Sequence, residues 1–183
     1  ISDFRIKNIT ANTSTTNFDN RFIITYASPH DLKNQAQGFD IGNEPNRRAA
    51  AELARDTGES IISKPTILIK DASKKSAGFI FFVPIYNTNL TPPTVEARRE
   101  SLIGWIYAPF ISNTLFQNIL NNDIANEEDY PFHLDVFHGS EANSSNIIFQ
   151  SSHDQKNNPP SNMSYDKTTK VKIGQSDFFF GWT

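Results

Sequence analysis

The run Gly78 to Tyr86 (GFIFFVPIY) carries almost no polar side chain. A half-buried strand alternates apolar and polar residues, whereas a short run that is apolar throughout must be covered on both faces. It reads as the central strand of a sheet, with Pro84 limiting the ladder near its end because proline has no amide to donate. A second apolar run, Thr66 to Ile69, lies just upstream, and the lysine-rich link Lys70 to Ser76 suits a hairpin loop. Pro65 interrupts the segment Ile61 to Ile69, so that strand is expected to begin after it.

A helix is predicted before these strands. Asn43 and Glu44 are possible caps, Pro45 suits the first helical position, Arg48 to Arg55 is rich in alanine, and Gly58 stands where a left-handed C-cap is wanted. Ala50, Leu53, Ala54 and Thr57 share one face at three- and four-residue spacing, which makes that face the expected buried one. Arg47, Arg48, Glu52 and Arg55 fall largely elsewhere, and Arg48 with Glu52 makes a surface pair worth about 0.3–0.5 kcal/mol. Helix, strand, loop, strand is half of a small α/β sensor or binding domain, and no catalytic motif accompanies it.

Composition narrows the classes further. At 183 residues the chain is long enough for one real core or for two small lobes. A net charge of -3 argues against a nucleic-acid footprint, which needs a basic face. The absence of cysteine excludes disulfides, thiolate zinc sites and cysteine nucleophiles. No run approaches the roughly 18 apolar residues of a membrane span. The abrupt start at Ile1 and the apolar end at Phe178 to Trp182 suggest a piece of a longer protein.

Elsewhere, Phe4 to Ile9 reads as a short strand or a helix end, and Arg21 to Ala27 as a strand. Thr94 is expected to cap a short helix through Ser101, followed by a strand over Leu102 to Phe110 in which Gly104 marks a bulge or a close backbone approach. Ser112 is expected to cap a helix through Leu120, with Leu115, Phe116, Ile119 and Leu120 as its apolar stripe. The polar, acidic connection Asn121 to Asp129 is the expected lobe boundary. Strands follow at Phe132 to Phe137, Asn146 to Gln150, Thr168 to Ile173 and Phe178 to Trp182, and Ser151 to Tyr165 reads as a long polar loop.

Gly38-Phe39-Asp40, Asn46-Arg47-Arg48-Ala49, Ala54 to Gly58, Ser63-Lys64-Pro65, Gly78 to Tyr86, Thr94 to Arg99 and Leu102 to Ile106 fall in an order that resembles the CHASE domain. That family is the extracytoplasmic sensory module of membrane histidine kinases, nucleotide and diguanylate cyclases, and plant cytokinin receptors. The resemblance is specific over about Arg21 to Phe110 and weaker from Asn121 onward. It implies an α+β fold of two PAS-like lobes, membrane-distal (residues 1–120) and membrane-proximal (121–183), with antiparallel sheets flanked by helices and the stalk helix truncated. It implies a non-catalytic, periplasmic sensor of a bacterial inner-membrane receptor, forming a homodimer and binding a small molecule in the distal lobe without a cofactor. The ligand class it suggests is adenine-like or amine-containing.

The resemblance also carries over particular positions. Asp40 aligns with the acid that holds the adenine ring in the plant receptors, a backbone contact aligns near Ile62, a polar side chain near Asp71, and a threonine needed for the hormone response at Thr57. Phe79 and Phe81 would pack on the apolar part of the ligand. Asp40 admits a second reading, a turn acid capping the segment that follows it. For Arg47 and Arg48 a solvated helix face or a salt bridge is preferred to anion binding. Phe79, Phe81, Tyr86, Trp105 and Tyr107 must divide between two sheet faces, one lining a pocket and the other packing under helices. His30, His133, His138 and His153 are too scattered for a zinc site, and Glu127 to Asp129 reads as a solvated acidic loop. A protein-interaction ectodomain without a small-molecule ligand is the competing reading.

Overall fold

A computed structural model describes residues 5–8, 20–28, 36–71, 74–123, 133–151, 165–173 and 175–182. The architecture is α+β, with three α-helices among the described residues and two four-stranded antiparallel sheets. A two-residue parallel pair, β1 (Lys7–Asn8) with β2 (Phe39–Asp40), stands apart.

The helix begins as its sequence dictates. Glu44 is the N-cap, its carboxylate accepting from the amides of Asn46 and Arg47, and Pro45 opens α1 (Pro45–Thr57). Gly58 closes it at φ +76°, a conformation that a side chain would strain. The buried face differs from expectation. Ala50, Ala51 and Ala54 are buried, Leu53 is 48% exposed, and Arg47 and Arg48 are buried. The alanines let the helix lie close against the sheet, and close approach takes the two arginines below the surface.

In the first sheet, β5 (Lys74–Tyr86) is central. β3 (Ile61–Ile62) and β4 (Thr66–Asp71) pair with it on one side, and β6 (Leu102–Ile111) pairs along the other. The lysine-rich link is mostly strand, since β4 and β5 extend to Asp71 and Lys74; β4 begins directly after Pro65. Alternation along β5 sends Ile80 and Phe82 toward α1, where they join Phe22, Ile41, Ile61 and Leu68. Phe79 points the other way, into a cluster with Ile62, Phe116 and Leu120. Both faces of the run are therefore covered, as its composition requires.

Thr94 caps α2 (Val95–Ser101) by accepting from the Ala97 amide. At the start of β6 the register slips between Ile85 and Tyr86, opposite Gly104 and Leu102. A bulge there explains Gly104; nothing lies within 4 Å of the position its Cβ would take, so close backbone approach does not. α3 (Ser112–Asp123) buries Phe116 and Leu120 but leaves Ile119 exposed. Ser112 starts this helix without capping it: its hydroxyl is buried and, among the described residues, has no hydrogen-bond partner.

The second sheet contains β7 (Leu134–His138), β8 (Ile147–Gln150), β9 (Lys167–Ile173) and β10 (Ser176–Trp182), ordered β8-β7-β10-β9. Val136, Ile148, Phe149 and Phe178 pack in the same cluster as Phe79 and Ile62, so α3 and the second sheet share the far face of the first. Its outer face carries Phe137, Phe179 and Tyr165 in edge-to-face contacts. Tyr165 lies over Gly181, where an added Cβ would come within 2.6 Å of the ring.

The predicted strand Arg21 to Ala27 is not a regular strand. Phe22 to Ile24 runs beside Gly38 to Ile41 through three backbone hydrogen bonds of 2.9 Å, but only Ile23 forms a bridge. Its partner, β2, is two residues long and turns at once into a 3-10 helix, Ile41–Asn43. The acidic connection at 127–129 and most of the loop at 151–165 lie outside the described residues, as do His30 and His153.

Candidate functional site

The chain concentrates buried charge where β2 turns into α1. Asp40 is 6% exposed. Its Oδ1 accepts from the amides of Phe22 (3.1 Å) and Gly42 (3.0 Å), so it caps the 3-10 turn and ties down the Phe22 segment. Both bonds end on Oδ1, and among the described residues no bond reaches Oδ2. Arg48 completes the frame. Its Nε donates to the Gly42 carbonyl (2.7 Å), Nη2 to the Asn20 carbonyl (2.7 Å) and Nη1 to Glu52 (3.0 Å), while the guanidinium lies 4.3 Å above the Phe22 ring. The predicted pair with Glu52 exists, but Arg48 acts chiefly as a buried donor to backbone carbonyls.

Arg47 faces the sheet. Nη2 donates to the Ile67 carbonyl at 2.9 Å and Nη1 to the Tyr107 hydroxyl at 3.4 Å. Nε is buried without a hydrogen bond, 3.6 Å from Glu44 Oε2. Glu44 is itself committed to two helix amides and to the Thr66 hydroxyl. Burial pushes the Tyr107 phenol above its ordinary pKa, so it keeps its proton. Of the two readings of Arg47 and Arg48, the solvated face is corrected, since both are buried where the small face of α1 meets the Ile41–Asn43 turn and the edge of β4, and the salt bridge holds, Arg47 with Glu44 and Arg48 with Glu52.

Ile62, Phe79 and Phe81 come together on the far face of the first sheet: Ile62 pairs with Phe81, and all three belong to the packing shared with α3 and the second sheet. The Ile62 carbonyl accepts from the buried Ser176 hydroxyl (3.0 Å), at the start of β10. Asp40 lies instead beside Phe22 and Ile41, in the core on the α1 side. Thr57 ends α1, roughly 18 Å along the axis from Pro45, and its hydroxyl donates to the Leu53 carbonyl. Asp71 ends β4 opposite Lys74, and its side chain lies outside the described part. Of the aromatic set, Trp105 donates to the Ala51 carbonyl and Tyr86 to the Arg55 carbonyl, both on the α1 side with Tyr107. Helices therefore cover both faces of the sheet.

Two further polar clusters were not legible in the sequence. Tyr165 donates to the buried Asp135 at 2.9 Å, and His133 Nε2 stands 2.9 Å from the other carboxylate oxygen, off the line of a hydrogen bond. Burial and then Asp135 raise the Tyr165 pKa. At the far end of α1, Asp56 accepts from Arg99 and Arg55, which hold its carboxyl well below the usual range. Among the described residues no group of side chains could hold a metal ion, and no helix is long and apolar enough to cross a membrane.

The CHASE domain family model matches residues 1–149, through α3 and into β8 of the second sheet. The chain belongs to the CHASE domain family, a family of extracytoplasmic sensory domains rather than enzymes. A comparison with curated proteins gives no significant match.

Proposed function

We propose that this chain is the periplasmic ligand-binding part of a bacterial inner-membrane receptor, and that it signals as a homodimer. Residues 1–120, with the first sheet, form a membrane-distal PAS-like lobe, and residues 121–183, with the second, a membrane-proximal one. A small molecule with amine or adenine-like N–H donors binds the distal lobe at Asp40 and shifts the population between two arrangements of the sheets. A ligand does this only through different affinities for the two states. The output is a cytoplasmic histidine kinase, diguanylate cyclase or phosphodiesterase. The observation that carries the reading is the family match over residues 1–149. The geometry at Asp40 supports it, since a buried carboxylate with Oδ2 outside its structural bonds is able to accept from a ligand.

Asp40 also holds the fold, so Asp40→Ala would strand two amide donors and is a poor test of binding. Asp40→Asn keeps an acceptor oxygen and removes the charge. A thermal-shift screen with purines, cytokinin-like adenines, amines, amino acids and small carboxylates is the experiment. A ligand at about 100 times its dissociation constant adds about 2.7 kcal/mol, several degrees for a domain of this size. A stabilising amine or adenine lost in Asp40→Asn supports the site. An equal shift in Asp40→Asn moves the anchor elsewhere.

A further inference from the structure

Arg47 is a buried cation whose pairing is incomplete. It is 4% exposed, yet among the described residues its guanidinium makes two hydrogen bonds, to the Ile67 carbonyl and, at 3.4 Å, to the Tyr107 hydroxyl. Nε has no hydrogen bond among the described residues. An arginine offers five N–H donors in a fixed planar fork, and a buried donor left unmade costs free energy that the fold has to supply elsewhere. Glu44 does not fill the gap. It stands 3.6 Å from Nε, outside hydrogen-bond range, with its oxygens engaged by the amides of Asn46 and Arg47 and by Thr66.

Tyr107 supplies a second donor beside the first. Its oxygen accepts from Arg47, so its own proton is left to donate, and burial keeps that proton on the phenol. Phe82 holds the ring edge to face, with centroids 5.5 Å apart. Around the buried guanidinium, Asn46 and Thr66 are half-buried and Ile67 is 57% exposed.

We propose that Arg47 and Tyr107 form a carboxylate-recognition point, so that the ligand of this domain carries a carboxylate received by the Arg47 fork and the Tyr107 O–H. This rests on the ligand-binding reading above and names a chemical class for it. A planar carboxylate matches the arginine fork in a way that a lone halide does not. Glu44, 3.6 Å from Nε, leaves the guanidinium without excess positive charge, which favours a monoanion over a phosphate dianion. Glu44 stays in place as the helix cap, and the carboxylate makes charge-assisted hydrogen bonds with the N–H groups of Nη1 and Nη2 that the Tyr107 and Ile67 contacts leave unused, approaching from the Thr66–Ile67 side.

The test uses the whole chain and a panel of amino acids and short monocarboxylates, each with its neutral amide, alongside amines and purines. A carboxylate should raise the melting temperature and its amide should bind at least tenfold more weakly. Tyr107→Phe keeps the ring against Phe82 and gives up only the long 3.4 Å acceptor of Arg47, so it should melt within a few degrees of the parent while binding the carboxylate about ten- to a hundredfold more weakly. Arg47→Lys, which keeps the charge and loses the fork, should weaken binding as well. A carboxylate bound equally by Tyr107→Phe, or bound no better than its amide, overturns the inference. An amine or purine whose shift depends on Asp40→Asn and ignores Tyr107→Phe overturns it and leaves the sensor reading standing. No stabilisation by any class overturns both.

Discussion

On the α1 side of β5, Ile80 and Phe82 meet three alanines and, at one end, the charged side chains of Asp40, Arg47 and Arg48. On the opposite side, Phe79 and Ile62 meet Phe116, Phe149 and Phe178. Alternate residues of one strand thus serve two different purposes. The α1 side carries desolvated charge, which costs stability unless hydrogen-bonded and is therefore where recognition chemistry can sit. The other side joins helix and second sheet by aromatic packing, which is adhesive and chemically unselective. Any signal passing from the first face to β10 has to cross the thickness of a single sheet.

The largest effects should come from emptying either core. Phe79→Ala and Phe82→Ala are each expected to cost about 3–5 kcal/mol. Hydrogen exchange should tell them apart. Phe79→Ala should speed exchange in β10, whereas Phe82→Ala should speed it in α1. Equal loosening of β10 by both variants would break the division between the faces. Arg48→Met, which keeps the stem and strips the donors from the Gly42 and Asn20 carbonyls, should cost about 2–3 kcal/mol in urea unfolding. A Met variant as stable as the parent would mean that the buried charge contributes nothing to the fold.

Smaller still is Ser176→Ala. It removes the hydroxyl that donates to the Ile62 carbonyl and should cost about 1 kcal/mol. Because that bond joins the two sheets, the loss should appear as faster exchange at the β3 and β10 ends, with α1 unchanged; uniform loosening would argue against a local link. The smallest effect is at Asp56. Its folded pKa is depressed, so its contribution is present above the unfolded value of about 3.9 and is lost as pH falls below that toward the folded value. Solvent screens the half-exposed Arg99. The stability difference between the parent and Asp56→Asn should be constant from pH 7 to 5 and shrink as pH falls below 4, and a difference unchanged at pH 3 would contradict the assignment.

Local chemistry made much of this fold legible. The cap at Glu44, Pro45 and Gly58, the start of β4 after Pro65, the two covered faces of β5, the Thr94 cap, the bulge by Gly104 and the four strands of the second sheet all follow from neighbours in sequence. The site was less legible. Asp40, singled out by its resemblance to the family's ligand-holding acid, is seen to cap the turn and hold the Phe22 segment eighteen residues away. Arg47 stands three residues before Ala50 and seven before Ala54, on the alanine face, and Arg48 three before Ala51; both proved buried because that face, rather than the one centred on Leu53, meets the sheet.

The sequence by itself determined most of the helices and strands, because capping, proline and glycine geometry and side-chain alternation act within a few residues; it failed at Arg21 to Ala27, which makes only one bridge, and at the lysine-rich link, which is mostly strand. Only the tertiary structure decided which face of β5 received charge and which received the second sheet. Phe79 and Phe82 are equally apolar, and nothing near them in sequence distinguishes the sides. That choice was made by partners 60 residues from Arg47 at Tyr107 and 114 from Ile62 at Ser176, through desolvation and hydrogen bonds that exist only once the chain has closed.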